Sequence, residues 1–312
     1  MMLLRSMLYF PANSTRMAVK AASLPVDAVI FDLEDAVSID DKETTRILAR
    51  DLVRLIKGRG THTFVRVNSL GTGLTHQDLE STVVEGLDGV MLAKTETESE
   101  IAELRQMLNE AEQHARITPE STKLVPLIET AKGVENCFQI ASADDRIVAV
   151  AFGAGDYYRD LGRDVGSLSQ DQVELLYARS RIVNASTAAG TRAIDTPFLG
   201  SLTDRDAFLR EVRIAVQLGF KGKQCIHPSQ IELINNMFSP TEREVDHAKR
   251  VVEAFEMAQA RGLGVLSFEG KMVDRMTYRQ AKDILAAARI IDDKAKARIA
   301  SPPSLSEIFS GS

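Results

Sequence analysis

A chain of 312 residues, 44% of them hydrophobic, can bury one large α/β core with an appendage, or two domains. Its net charge of −6 offers no basic field to nucleic acid or an anionic membrane, and no apolar run is long enough to span a bilayer. Cys137 and Cys225 lie far apart in no metal-type spacing, which predicts a reduced, cytoplasmic enzyme.

The first predicted strand covers 6–10. The opening stretch MMLLRSMLYFPAN is apolar, but Pro11 and Asn13 interrupt it, so it reads as this strand and not as a signal peptide. Asn13 and Ser14 then cap a short predicted helix to 22. DAVIFDL at 27–33 is the second strand, followed by Glu34 and Asp35, and an amphipathic helix runs over 40–57. The third strand, 63–67, carries Arg66 and leads into a loop with Gly71 and Gly73. The fourth covers 89–94, before a polar helix over 98–115. Leu124, Val125, Leu127 and Ile128 form a fifth run that ends abruptly in Glu129. The sixth, 147–152, leaves through Gly153-Ala154-Gly155 to Asp156. A helix over 170–189 precedes the seventh strand, 192–196, and another over 204–218 precedes the eighth, 222–226, which ends in His227-Pro228.

Eight apolar strands alternating with helices predict a (β/α)8 TIM barrel, with a doubly wound open sheet as the alternative. No G-x-G-x-x-G or Walker sequence follows the first strand, against a nucleotide fold. After Pro240 the pattern changes to a helix over 241–261, a glycine-punctuated stretch over 262–274 and a helix over 278–291. The expected organisation is a TIM-barrel catalytic domain over 1–239, a helix–hairpin–helix lid or oligomerisation appendage over 240–300, and a flexible tail over 301–312.

The polar residues Asp32, Glu34, Asp35, Arg66, Glu129, Asp156, Asp195 and His227 all fall at predicted C-terminal strand ends. In a TIM barrel that is the catalytic face. Glu129 and Asp156 are hard oxygen ligands suited to Mg2+, which needs one or two carboxylates plus waters and substrate oxygens. A salt bridge or helix cap is the plainer alternative. Arg66 suits a substrate carboxylate, since its planar fork binds bidentately, but it can equally pair with Asp32 or Glu34. Alternation turns Asp32 into the barrel or onto a lysine. His227 either touches substrate or packs over the barrel mouth. Lys94 is the one residue that suggests a Schiff-base aldolase; the strand-end carboxylates favour a metal electrophile instead.

RSMLYFPAN, DAVIFDLEDAV, FVRVN, LIETAKGV, VAFGAGDY and GKQCIHPSQI, in this order, resemble the citrate lyase β-subunit-like proteins. This group of the HpcH/HpaI aldolase superfamily also includes malyl-CoA and citramalyl-CoA lyases. The resemblance covers about 5–274. It implies a TIM barrel, Mg2+, and cleavage of a 3-hydroxyacyl-CoA thioester to an acyl-CoA and an α-keto acid. Glu129 and Asp156 would be the Mg2+ ligands and Arg66 the carboxylate clamp. Tyr9 and Lys20 match positions that contact CoA. Ile226 and His227, with Gly155 beside Asp156, match the substrate lining. Asp274 resembles a catalytic acid that the lid brings to a neighbouring subunit, so a homo-oligomer, trimer or hexamer, is expected. Ala12 and Gly155 depart from the family pattern, where Gly and Glu are usual. A citrate lyase β subunit working with an acyl-carrier protein, and a non-catalytic acyl-CoA-binding barrel, are the competing readings.

Overall fold

Short apolar runs with alternating inward and outward residues build the first part of the chain. The computed structural model describes residues 2–11, 24–58 and 60–300. The strands are β1 Ser6–Pro11, β2 Ala28–Asp32, β3 His62–Val67, β4 Gly89–Leu92, β5 Lys123–Ile128, β6 Val150–Phe152, β7 Ala193–Asp195 and β8 Gly222–Cys225. Each pairs in parallel with the next, and β1 also pairs with β8, so the sheet closes as a (β/α)8 TIM barrel and not as an open doubly wound sheet. Gly222 permits the closure: a Cβ there would stand 1.9 Å from the carbonyl oxygen of Leu4. Met7, Ile30, Phe64, Met91, Val125, Leu127, Ala151 and Ile194 point inward and pack as one cluster.

Helices cover the outside. Glu98–Ala115 starts in a capping box of Thr97 and Glu100, and Arg205–Leu218 is capped by Asp204. The predicted helix over 170–189 is shorter, Leu176–Ala188, after a 3-10 turn. The loop after β3 contains an unforeseen helix, Thr75–Thr82. β4 stops early because Lys94 adopts a left-handed backbone, φ 50°. β6 starts late because Ile147 makes only an isolated bridge, to Leu124. The helix expected over 13–22, with Ala12 and Lys20, and the tail over 301–312 lie outside the described residues.

The chain divides into two compact units between Asn236 and Met237. The second holds the helices Glu242–Ala260 and Arg275–Ala300, joined by the hairpin β9 Leu266–Phe268 and β10 Lys271–Val273. The hairpin turns at Glu269 and Gly270, both with positive φ, as a two-residue turn requires. Val251, Phe255, Val273 and Ala281 form this unit's core, with Tyr278 stacked on Phe255 at 4.7 Å. No helix among the described residues is long and apolar enough to cross a membrane.

Candidate active site

The inward stripe of each strand, extended to its C-terminal end, arrives at polar residues. On β3 the sequence Phe64, Arg66 follows one face; on β2 it is Ile30, Asp32; from β5 it is Val125, Leu127, Glu129. Arg66 and Asp32 are register partners. The Asp32 carboxylate accepts from Arg66 Nε at 2.7 Å and Nη2 at 2.6 Å. Nη1 lies 2.9 Å from Glu34 Oε2. That buried oxygen makes no hydrogen bond. The ring of Tyr9 lies beneath the guanidinium, 5.0 Å from centroid to Cζ. Burial works against the Arg66 charge, but Tyr9, Asp32 and Glu34 outweigh it and hold its pKa well above the ordinary value. Tyr9 donates its hydroxyl to Gln224 at 2.8 Å, and Gln224 donates to the carbonyls of Phe152 and Asp195, making a polar floor.

Glu129 is 3% exposed. Its Oε1 accepts from the backbone N–H of Lys94 at 2.8 Å, which the left-handed turn at Lys94 aims at it. No cation among the described residues forms an ion pair with it. Burial, then the charges of Glu34 and Asp156, push its pKa up to about 8 against the pull of Arg66. Gly153 makes room for this side chain, since a Cβ there would stand 2.5 Å from Glu129 Oε2. Lys94 extends its ammonium to Glu34, with Asp35 at 3.6 Å and Asp156 at 3.7 Å. Burial opposes its charge, but Glu34 dominates and its pKa is raised.

Asp156 sits in the first turn of the helix Ala154–Asp160, whose first N–H is held by Thr196 at 3.0 Å. Its Oδ1 pairs with the exposed Arg159 at 2.7 Å. Arg66, Glu129 and Asp156 line one cavity of about 360 Å³ at the C-terminal mouth of the barrel; Phe10, Leu127, Pro197, Leu199 and Ile226 supply its apolar wall. Among the described residues, three lining carboxylates, counting Asp32, face one lining cation, Arg66. No group of three or more His, Cys, Asp or Glu forms a metal cage among the described residues. A pair of carboxylates with an under-neutralised buried member still fits Mg2+, which takes few protein ligands.

Residues 5–228 match the family model described as HpcH/HpaI aldolase/citrate lyase. The chain belongs to this family. It is 38% identical over 286 residues to the citrate lyase subunit beta of Escherichia coli strain K12, covering 92% of this chain and 93% of that protein. It is 32% identical to the mitochondrial citramalyl-CoA lyase of Rattus norvegicus, over 93% of this chain and 87% of that one. The crystal structure of CitE from Mycobacterium tuberculosis, in complex with magnesium, acetoacetate and coenzyme A, is 31% identical, with a TM-score of 0.70. That match covers 91% of this chain and 98% of the other.

Within this HpcH/HpaI-family barrel the structure brings Arg66, Glu129, Gly155, Asp156 and Ile226 together. It does not bring Asp195 there. Asp195 is one residue out of phase with the inward stripe, so it faces the helices and bonds Arg179 at 2.9 Å and Lys223 at 2.8 Å. Burial would raise its pKa, but these two cations outweigh it and the carboxyl sits below the usual range. Lys223 also pairs with Glu211 at 2.5 Å. Lys223→Met is expected to cost about 3–5 kcal/mol by leaving buried carboxylates under-compensated. Urea unfolding measures this, and an unchanged midpoint would show the network to be energetically idle.

Tyr9 lines the cavity, donates its hydroxyl to Gln224 and carries the Arg66 guanidinium on its ring. Asp32 turns inward as expected, onto Arg66 and not a lysine. His227 is exposed, caps the short turn at Pro228 and is absent from the cavity wall. Asp274 has a structural task that its sequence context hid: its Oδ1 accepts from the N–H groups of Met276 and Thr277 and caps the last helix. The Thr277 N–H bond lowers its pKa. Lys94, which the sequence marks only as a possible Schiff-base lysine, instead pairs with Glu34 and presents its N–H to Glu129. Gln224 is a site residue that the sequence does not reveal, because it sits inside a strand with nothing to set it apart.

Proposed function

We propose that this chain is a Mg2+-dependent carbon–carbon lyase that cleaves a 3-hydroxyacyl-CoA thioester, of the malyl-CoA or citramalyl-CoA kind, to an acyl-CoA and an α-keto acid. Its being a lyase follows from its family. The reading is carried by one observation: Arg66, Glu129 and Asp156 converge on a cavity whose buried Glu129 has no ion-pair partner among the described residues.

Glu129 and Asp156 would hold the metal ion, which when bound supplies Lewis acidity to the substrate's hydroxyl and carboxylate oxygens. Asp32 occupies the Nε side of Arg66 and fixes its plane. Nη1 also meets Glu34, and the Nη protons that remain are left to take the substrate carboxylate. In cleavage the hydroxyl gives its proton to solvent water and its oxygen becomes the ketone. The electron pair of the C2–C3 bond passes to the thioester's α-carbon as an enolate, which then takes up a proton. Lys94 is held as an ammonium by Glu34, which argues against a Schiff base.

Asp274, supplied by a neighbouring subunit as the family resemblance implies, remains our candidate for proton transfer at that carbon. Its lowered pKa keeps it ionised and suits proton removal from the acyl-CoA methyl in the condensation direction. Asn caps a helix about as well as Asp, so Asp274→Asn separates the two tasks. The variant should bind Mg2+ and substrate normally, keep its thermal midpoint and lose roughly 10²–10⁴-fold in turnover. Asp274→Ala should in addition lose about 1 kcal/mol of stability. Full activity of Asp274→Asn would reduce the residue to a cap.

A second reading, a citrate lyase β subunit cleaving a citryl thioester on an acyl-carrier protein to oxaloacetate and an acetyl thioester, is favoured by the 38% identity to such a subunit. The purified chain, assayed with Mg2+ against malyl-, citramalyl-, methylmalyl- and citryl-CoA and against a citryl-loaded acyl-carrier protein, tests both. Release of glyoxylate or pyruvate from malyl-, methylmalyl- or citramalyl-CoA supports the first. Activity confined to citryl thioesters transfers the chain to the second.

A further inference from the structure

We propose that the cavity contains a berth for an uncharged alkyl substituent on the carbon that bears the substrate's hydroxyl, and that Gly155 sets its size. The inference rests on the lyase reading above and narrows it to one substrate class.

Two glycines flank Ala154, and their reasons differ. Gly153 is imposed by crowding, because a Cβ would collide with Glu129. Gly155 is imposed by nothing nearby. Its φ lies outside the left-handed region, and a Cβ would meet only Leu199 Cδ2, at the ordinary distance of 3.7 Å. It lies in a helix, where glycine is otherwise a disadvantage. What the missing side chain leaves is space, in the cavity wall and next to Asp156.

The chemistry of that wall selects what fills the space. An α-keto acid presents a carboxylate, a carbonyl oxygen and a substituent. With the carboxylate on Arg66 and the oxygen toward Glu129 and Asp156, the substituent faces the remaining wall, which Gly155, Pro197, Leu199 and Ile226 form. Hydrogen would leave this wall unfilled. Methyl or ethyl would bury apolar surface against it. A carboxymethyl group would bring a second anion against carbon, since Arg66, the only cation among the described lining residues, takes the first carboxylate and the nearby Lys94 ammonium is held by Glu34. The preferred keto acids are therefore pyruvate and 2-oxobutyrate over glyoxylate, with oxaloacetate last.

The test titrates the Mg2+-saturated protein with these four acids by calorimetry, which reads the berth whether the thioester is carried by CoA or by a protein. Wild type should bind 2-oxobutyrate and pyruvate at least roughly 10-fold more tightly than oxaloacetate, because a second carboxylate would have to be desolvated against an apolar wall. Gly155→Leu should weaken 2-oxobutyrate by roughly 10-fold or more and leave glyoxylate within about 3-fold. Gly155→Ala, an easily folded helix substitution, should fall between. Oxaloacetate binding as tightly as pyruvate, or equal weakening of all four acids by both variants, overturns the berth and leaves the lyase reading intact. If Mg2+ binds and none of the four acids does, the lyase reading fails and the berth with it.

Discussion

Glu129→Gln is expected to abolish divalent-metal binding and to lower turnover by about 10³-fold or more, while the barrel stays folded. The substitution keeps the side chain's shape and the acceptor for the Lys94 N–H, and removes only the charge. The metal-free protein adds a second readout. Burial, then Glu34 and Asp156, raise the Glu129 pKa from 4.5 to about 8, so the folded state binds this proton more tightly than the unfolded state does. The stabilisation is complete below pH 4.5 and is lost as pH rises through about 8. Metal-free wild type should therefore lose thermal stability relative to Glu129→Gln between pH 5 and 8. Mg2+ must displace the proton, so its apparent affinity for wild type should rise across the same interval. Calorimetric titration and melting curves at stepped pH check both trends. Wild-type turnover of Glu129→Gln in excess chelator would mean that the two carboxylates hold no catalytic metal.

Arg66→Lys carries the second large effect. It preserves one positive charge and loses the fork that takes Asp32 through Nε and Nη2 while leaving Nη protons for a substrate. A fall of about 10²–10³-fold in kcat/KM is expected, the usual consequence of removing one preorganised donor from a developing or bound anion. Arg66→Ala should go further and cost about 3–5 kcal/mol of stability, because Asp32 stays buried without its partner while Glu34 keeps only Lys94. Steady-state kinetics and urea unfolding separate the two losses. Ordinary kinetics for Arg66→Lys would place the carboxylate clamp elsewhere in the barrel.

By itself, the sequence determined the order of strands and helices and the residues at the barrel mouth. Those features are local. A run such as Leu124–Ile128 is buried because of its own composition, and its abrupt end in Glu129 marks where the strand leaves the core. The alternation that carries Val125 and Leu127 inward carries Glu129 inward too, so both its place and its direction could be read along the chain. Direction failed where the phase was misjudged by one residue: Asp195 ends its strand as the others do, yet faces Arg179 and Lys223 on the outside.

Only the tertiary structure decided which groups neutralise one another, since that depends on register between strands far apart in sequence. Pairing of β2 with β3 sets Asp32 beside Arg66, and a left-handed turn after β4 delivers the Lys94 N–H to Glu129 on β5. The task of Asp274 was equally hidden, because a cap is recognised by the N–H groups it meets and not by its charge. The unmatched burial of Glu129 is likewise a sum over neighbours from several strands, and such a sum exists only once the barrel has closed.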